Sequence, residues 1–181
     1  MRQLNGIFIL AELPDEIAER VRAINERYDP RLARYKPPHI TLTGSSGAGP
    51  IPPSVSVDEM RVKLEPIAAE TPPLTLSFQS PQRFMQTDII VLPIAAHGPI
   101  RLLHDRLITS GLPFTRARYT FSPHCTLSLY QSLDAKSVRE LLKTRMPEPF
   151  VISAIQVYHT RDPQPSRKLL DLGLTGGSKK D

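Results

Sequence analysis

The order of apolar and polar positions predicts short strands that alternate with amphipathic helices. Residues 6–11 (GIFILA) are apolar without interruption and lie between turn signals, which is typical of a buried strand. In residues 14–28 apolar side chains recur at the helical period, with Pro14 in the first turn and acidic residues close behind it. Asp29-Pro30 ends this helix. The chain therefore begins with a strand followed by a helix.

The next part of the chain continues this alternation after a loop rich in glycine and proline. That loop, residues 43–54, lacks the Gly-Lys-Ser/Thr ending of a phosphate-binding P-loop, so we interpret it as a plain linker, with a mobile lid as the alternative. A helix begins after Ser56, which forms a capping-box pattern with Glu59. Residues 74–80 alternate between apolar and polar, which predicts a half-buried strand with residues 88–94 as its hairpin partner.

From about residue 90 the same order of elements recurs. A strand is followed by a predicted helix over residues 99–110 that ends at Gly111, then by a basic stretch, another strand and a helix over residues 134–146. Two strands, about 150–159 and 168–174, close the fold. Because the strand–helix–strand–helix order occurs twice, we predict an internal duplication with two α+β lobes related by an approximate two-fold axis.

One motif occurs in both halves of the chain. Residues 38–42 (PHITL) and 123–127 (PHCTL) share four of five positions and lie 85 residues apart. If each motif is a strand, the side chains of residues i and i+2 leave the same face about 6.6 Å apart. Each strand would then present one imidazole and one hydroxyl to a common cleft, from His39 and Thr41 and from His124 and Thr126.

These side chains are suited to acid–base chemistry on an anion. Histidine has an ordinary pKa near 6.5, so around neutral pH one ring can accept a proton while another donates one, and the rate should follow a bell-shaped pH profile. A histidine in a strand is often a structural residue, but a threonine at the same offset in both copies favours the functional interpretation. A zinc site needs three or four clustered ligands, which two histidines do not provide.

Composition is that of an ordinary globular protein of 181 residues with a formal net charge of +5. The positive charge favours acidic partners, nucleic acid above all. Cys125 is the single cysteine, which excludes an internal disulfide and a cysteine-rich metal cluster, and we expect it to face the core. The first apolar run is too short for a signal peptide or membrane span, so we expect no membrane association. The single cysteine fits a reducing cytoplasm, and we expect a cytoplasmic monomer.

Several other residues are candidates for the cleft or for packing. His104 lies on a predicted helix and is expected at the surface, whereas His159 ends a strand and could line the cleft. Four aromatic residues could stack on a base, although packing in the core or at the rim explains each of them equally well. These are Tyr35, Tyr119, Phe121 and Tyr130.

The two Pro-His-x-Thr-Leu motifs, at this spacing and within a duplicated chain, resemble the 2H phosphoesterase superfamily, and in particular its branch of 2′-5′ RNA ligase-like or 2′,3′-cyclic phosphodiesterase proteins. The resemblance implies a bilobal α+β fold in which two antiparallel sheets, flanked by helices, enclose a central cleft. It implies neither a metal nor another cofactor. We expect one such domain over residues 1–174 and a disordered tail over residues 175–181.

The resemblance also implies roles for individual residues. His39 and His124 would form the catalytic pair, and Thr41 and Thr126 would hold the phosphate. Many relatives place an arginine soon after one motif, whereas Thr43-Gly44 and Ser128-Leu129-Tyr130 stand there in this chain. Another cation would then serve, and the candidates are Arg116, Arg118, Lys36 and Arg83, with Tyr119 as a further substrate-binding residue.

The activity implied is hydrolysis of 2′,3′-cyclic phosphates, at RNA ends or in nucleotides, to 2′-phosphates without a metal. With an RNA 5′-hydroxyl in place of water, the same residues would form a 2′-5′ linkage, so an RNA ligase is one alternative. The other is a module that binds RNA ends without turnover.

Overall fold

The computed structural model of the protein describes residues 3–177. Within this range nine strands are present: β1 (Asn5–Glu12), β2 (His39–Thr43), β3 (Leu74–Leu76), β4 (Gln82–Arg83), β5 (Ile90–Pro93), β6 (His124–Ser128), β7 (Phe150–Ile152), β8 (Ala154–Arg161) and β9 (Arg167–Gly173). The same range contains five helices: α1 (Asp15–Tyr28), α2 (Pro30–Tyr35), α3 (Val57–Glu70), α4 (Pro99–Ile108) and α5 (Ala135–Leu142). The predicted alternation of strands and helices is therefore confirmed.

Seven strands form one sheet in the order β4-β5-β6-β2-β1-β8-β9, and β3 and β7 form a second, two-stranded sheet. Every pair of neighbouring strands is antiparallel. The predicted α+β class, with antiparallel sheets flanked by helices, is confirmed. The two halves of the chain meet at β2 and β6, where Ile40 lies opposite Cys125, so they share one continuous sheet.

The backbone repeats itself with the same spacing as the sequence motif. Thr43 of β2 lies opposite Ile9 after a shift of register, and Ser128 of β6 lies opposite Ile90 after an equivalent shift. Thr43 and Ser128 are 85 residues apart, as the two motifs are. β2 and β6 therefore carry bulges at equivalent positions, and a bulge locally increases the twist of its strand. This correspondence supports the predicted internal duplication.

Alternate strand residues and the apolar stripes of the long helices form a single core. The strands contribute Ile7, Ile9, Ala11, Ile40, Leu42, Ile90, Leu92, Cys125, Leu127, Ile155 and Val157, and the helices contribute Ile17, Val21, Met60, Leu64, Ile100, Leu103, Leu107, Val138 and Leu141. We call this side of the large sheet the core face and the opposite side the open face. Cys125 is buried as predicted, and burial raises the pKa of its thiol to about 12.

The prediction that His104 lies at the surface is wrong. Its side chain is only 1% exposed, its ring stacks on that of Phe121 with 3.9 Å between centroids, and its Nδ1 lies 2.7 Å from the carbonyl oxygen of Leu42. On α4 it follows Ile100 and Leu103 at the spacing of the apolar stripe, which is what turns it inward. The helical period therefore already contained this signal.

The predicted hairpin between residues 74–80 and 88–94 is also wrong. β3 pairs with β7, while β5 pairs with β4 and β6. Alternation predicts that a strand has one buried face but does not select its partner. Here the partner is fixed by packing, since the rings of Phe78 and Phe150 lie 4.8 Å apart beside the β3–β7 pair. Residues 150–159, predicted as one strand, accordingly divide into β7 and part of β8.

The glycine- and proline-rich segment, residues 43–54, is packed in place, so the linker interpretation is wrong. Its backbone donates hydrogen bonds from Gly47 to Tyr119 and from Gly49 to Thr115, and Ile51 pairs with Ile7. Gly47 has φ +75°, and a Cβ there would lie 2.4 Å from Nε2 of His104. Glycine is therefore needed where this segment covers the buried histidine.

The predicted disordered tail is partly corrected. The backbone N–H groups of Thr175 and Gly176 donate to the carbonyls of Ala68 and Thr71 at the end of α3. Residues 178–181 of the predicted tail lie outside the described residues. Among residues 3–177, the helices are all too short or too polar to cross a membrane.

Candidate active site

The four residues of the two motifs form one floor at the junction of β2 and β6. Because Ile40 lies opposite Cys125, extending the register by one residue places His39 opposite Thr126 and Thr41 opposite His124. Residues directly opposite in an antiparallel pair have Cβ atoms about 4.5–5.5 Å apart, and diagonal neighbours lie about 7–8 Å apart. The two histidines are thus diagonal, with a threonine beside each. All four side chains are half-buried on the open face.

Both imidazoles are held in the same orientation by their own chain. Nδ1 of His39 lies 2.7 Å from the carbonyl oxygen of Pro37, and Nδ1 of His124 lies 2.7 Å from that of Ser122. A carbonyl can only accept, so Nδ1 carries the hydrogen and Nε2 of the neutral ring carries a lone pair. Each histidine therefore offers Nε2 for proton transfer above the floor.

The environment keeps both rings neutral in the absence of a ligand. Burial, reinforced by the positive charge of Lys36, lowers the pKa of His39 to about 3. Burial also lowers the pKa of His124, against the opposing effect of its hydrogen bond to Ser122. A bound anion would raise both pKa values, because it favours the charged form of each ring.

Buried polar side chains from the helices hold the two floor strands from below. Asn25 of α1 donates through Nδ2 to the carbonyls of Thr126 (3.2 Å) and Leu127 (2.9 Å), and His104 of α4 contacts that of Leu42. Leu42 and Leu127 occupy equivalent positions in the two halves, next to the two bulges. A bulge leaves a backbone carbonyl without its partner in the neighbouring strand. In each half of the chain, a side chain from the other half provides the hydrogen bond to that carbonyl. The sequence reasoning missed both contacts.

A further buried group fixes the chain after β6. Asp29, with no exposed surface, accepts hydrogen bonds of 2.7 Å from the backbone N–H groups of both Leu129 and Tyr130. It also caps α2 by accepting from Leu32 at 3.1 Å. The carboxylate therefore ties the end of the second motif strand to the helices that precede the first one. A charged group so deeply buried is stable because several N–H groups donate to it.

A comparison with protein families agrees with this geometry: residues 13–164 match the family model of the 2′-5′ RNA ligase superfamily. The chain belongs to this superfamily. Two Geobacillus proteins that bear the name phosphoesterase are similar to it, one of G. kaustophilus with 32% identity over 115 residues and one of G. thermodenitrificans with 33% over 112. The chain matches 63% and 61% of the length of these curated relatives.

Solved structures of other proteins share the fold. E. coli LigT in complex with 3′-AMP superposes with a TM-score of 0.60 at 18% identity, covering 96% of this chain and 99% of LigT. TT0787 of Thermus thermophilus gives a TM-score of 0.63 at 12% identity, covering 96% and 100% of the two chains. These likenesses confirm the predicted fold, and the match to the family model confirms the predicted family.

The role of the remaining predicted substrate-binding residues stays a prediction. Arg116, Arg118 and Tyr119 lie on the segment that precedes β6, where the guanidinium of Arg118 lies 5.6 Å from the ring centroid of a 66% exposed Tyr119. Within the described residues, their side chains make no hydrogen bond with the motif residues. Arg83 is occupied by Asp88, with 2.6 Å between Nη2 and Oδ1.

The other candidates for the cleft have packing roles. Tyr35 is buried and donates through its hydroxyl to Asp162, and its ring meets Tyr130 edge-on at 5.8 Å. Phe121 is buried against His104, as described above. His159 binds Asn5 through Nε2 at 2.8 Å and lies opposite the core-face residue Ile7, so it is on the wrong face to line the cleft.

The two sides of the floor differ in chemistry although the floor itself is nearly symmetric. On the β1 side, Glu12 lies opposite His39 and accepts from the hydroxyl of Tyr158 and from Lys168, whose Nζ is 2.9 Å from Oε1. On the β5 side, the ring of Phe84 meets His124 edge-on with 5.6 Å between centroids. One wall is therefore polar and charged, and the other is aromatic.

Proposed function

We propose that this protein is a metal-independent 2′,3′-cyclic phosphodiesterase that acts on RNA ends or cyclic nucleotides and releases 2′-phosphates. The observation that carries the proposal is the pair of diagonal, neutral histidines, each with Nε2 free and a threonine hydroxyl beside it. A cyclic phosphodiester needs a base on one side of phosphorus and an acid on the other. Membership of the superfamily supports phosphoester chemistry at this floor.

In this mechanism His39 is the general base. Burial and the nearby charge of Lys36 lower its pKa to about 3 and keep its ring neutral. Nε2 of His39 takes a proton from a water molecule as the water oxygen forms a bond to phosphorus. The threonine hydroxyls of Thr41 and Thr126 donate hydrogen bonds to the non-bridging oxygens, where negative charge increases in the transition state.

His124 is the general acid. The anionic substrate raises its pKa on binding, so that the ring carries a proton. As the bond between phosphorus and the 3′ oxygen breaks, His124 gives that proton to the leaving oxygen, and a 2′-phosphate results. The rate should rise with pH as His39 loses its proton and fall as His124 loses its own.

The test is turnover in excess EDTA of 2′,3′-cyclic mononucleotides and of a short RNA that ends in a cyclic phosphate. We expect wild type to form the 2′-phosphate, and His39→Ala or His124→Ala to lower kcat by about 10²–10⁴-fold, the usual contribution of a general acid or base. His97→Ala is the matched control, since His97 is exposed and outside the floor. Product identity is measured by ³¹P NMR.

Other outcomes would favour the two alternatives. Joining of a cyclic phosphate end to an RNA 5′-hydroxyl, lost in the same variants, would favour a 2′-5′ RNA ligase, the activity that gives the superfamily its name. Salt-dependent RNA binding that survives loss of either histidine, without turnover, would favour a binding module.

A further inference from the structure

The floor as described carries no positive charge of its own. It consists of two neutral imidazoles and two hydroxyl groups, whereas a phosphodiester or phosphate is an anion that loses part of its hydration on entering a half-buried site. A hydrogen bond to an anion is strengthened when the donor is itself charged. A cation that reaches the open face at the floor, and that has no other partner, would supply this charge.

Most basic side chains near the floor are already engaged. Arg83 pairs with Asp88, as described, and also donates through Nε to the carbonyl of Thr87 at 2.6 Å. Lys168, on the polar wall, is held by Glu12 and lies 3.6 Å from Oδ2 of Asp171. The positive charge of each is therefore already balanced, at least in part, by a carboxylate.

Lys36 reaches the open face by a different route. It stands three residues before His39, and its Nζ lies 4.3 Å from the ring centroid of Phe8. Phe8 lies two residues before Leu10 on β1, so both side chains are on the same face of the sheet. Leu10 lies opposite Thr41 of the floor, so this is the open face. The ring of Phe8 also covers Gly44, just beyond β2, where a Cβ would lie 2.1 Å from Cδ1. The ammonium group is therefore held on the open face, beside strand β2, which carries His39 and Thr41.

This ammonium group has no acidic partner within the described part of the chain. Lys36 forms no ion pair there, and its Nζ makes no hydrogen bond with residues 3–177. The charge of Asp162 raises the pKa of Lys36, but the oxygens of Asp162 accept hydrogen bonds from Tyr35 and from the backbone of Leu4. Burial lowers the pKa of Lys36 to about 8, and its charge in turn lowers the pKa of His39. A half-buried, unpaired cation beside a reactive histidine is costly unless an anion binds to it.

We propose that the ammonium group of Lys36 binds the phosphate group of the substrate on the His39 side of the floor. The assignment rests on the proposed function for its substrate class, a phosphodiester anion. Phe8 holds the ammonium in place through a cation–π contact before the anion binds. The same charge keeps His39 neutral, so one side chain both attracts the anion and prepares the base.

The test compares Lys36→Met, which keeps the apolar stem but removes the charge, with Lys63→Met, a matched control at an exposed lysine of α3. The probe is inorganic phosphate, followed by NMR of the histidine rings. We expect Lys36→Met to weaken phosphate binding by roughly 10–100-fold, as for loss of a charged hydrogen bond. The pKa of His39 in the free protein should rise towards its ordinary value. Lys63→Met should change neither quantity.

The readouts separate this proposal from the proposed function. Phosphate affinity and the titration of His39 do not require turnover, so an inactive wild-type protein would overturn the proposed function and leave the assignment of Lys36 open to the same measurement. If Lys36→Met binds phosphate as tightly as wild type, the assignment is wrong. It is equally wrong if wild type shows no phosphate-dependent change at His39. Where turnover is found, kcat/KM for a cyclic nucleotide should fall with phosphate affinity in Lys36→Met, and Lys36→Arg should restore part of it.

Discussion

At the scale of single residues, the position of the floor depends on buried polar side chains as much as on the histidines themselves. Asn25 and His104 come from helices in opposite halves, yet both satisfy carbonyls at the same step of the motif strands. A carbonyl beside a bulge has lost its ladder partner, and leaving it buried and unsatisfied is costly. These two residues therefore position the two motif strands without facing the cleft.

Loss of one of these contacts should be visible in stability. Asn25→Ala leaves the carbonyl of Leu127 without its donor, and we expect the free energy of unfolding to fall by about 1–3 kcal/mol, the usual cost of an unsatisfied buried polar group. Urea denaturation measures the change. Gln131→Ala, at an exposed glutamine, is the control and should stay within about 0.5 kcal/mol of wild type. An equal effect of the two substitutions would contradict the role given to Asn25.

At the scale of elements, the hairpin formed by β4 and β5 distinguishes the two sides of the cleft. Phe84 is 39% exposed and meets His124 edge-on, and Met85 at its tip is 89% exposed. An exposed aromatic ring beside the proposed general acid is suited to stacking on a base, since every base has a flat π-face. The opposite wall has charged groups instead, so we expect the proposed nucleotide substrate to bind in one orientation.

This asymmetry predicts a role for Phe84 in substrate binding. Phe84→Ala should raise KM for a 2′,3′-cyclic nucleotide by roughly 5–100-fold while kcat changes less, because base stacking on an aromatic ring contributes about 1–3 kcal/mol. Steady-state kinetics on cyclic nucleotides measure both constants. Leu102→Ala removes an exposed apolar side chain on α4 and should leave KM as it is. An unchanged KM in Phe84→Ala would show that the hairpin does not contribute to substrate binding.

At the scale of the whole molecule, burial of histidine couples folding to pH. His104 is 1% exposed, and burial lowers its pKa below the ordinary value. The unfolded chain, with a histidine pKa near 6.5, therefore binds the proton more readily than the folded chain. The free energy of unfolding is largest above this pH and falls as pH drops below about 6.5, by up to about 1.4 kcal/mol per pH unit for a histidine that stays neutral.

Urea denaturation at pH 7.5 and pH 5.5 tests this coupling. Wild type should be less stable at the lower pH, and His104→Gln should lose part of that difference because glutamine does not titrate. His39 and His124 remain in both proteins, and their lowered pKa values should preserve a smaller dependence of the same sign. The same pH dependence in wild type and His104→Gln would show that His104 is protonated as easily in the folded chain as in the unfolded one.

The sequence by itself determined the elements and the pairing of the two motifs. Periodicity and turn residues are local properties, so the four longer helices, most strands, the capping contact of Ser56 with Glu59 and the burial of Cys125 could be predicted. The short helix α2 was not predicted. The 85-residue repeat further predicted that two histidines and two threonines share one floor, because duplicated halves tend to meet about a two-fold axis.

Only the tertiary structure decided which surfaces cover one another. The partner of β3, the packing of residues 43–54 and the inward turn of His104 depend on elements far apart in sequence. The same is true of the cation proposed for the floor. Several basic residues were equal candidates by sequence, and Lys36 is proposed because its ammonium lies over the ring of Phe8 and has no ion-pair partner within residues 3–177. The spacing of residues along the chain predicts local elements and repeated motifs. Burial and charge pairing depend on contacts between segments that are distant in sequence.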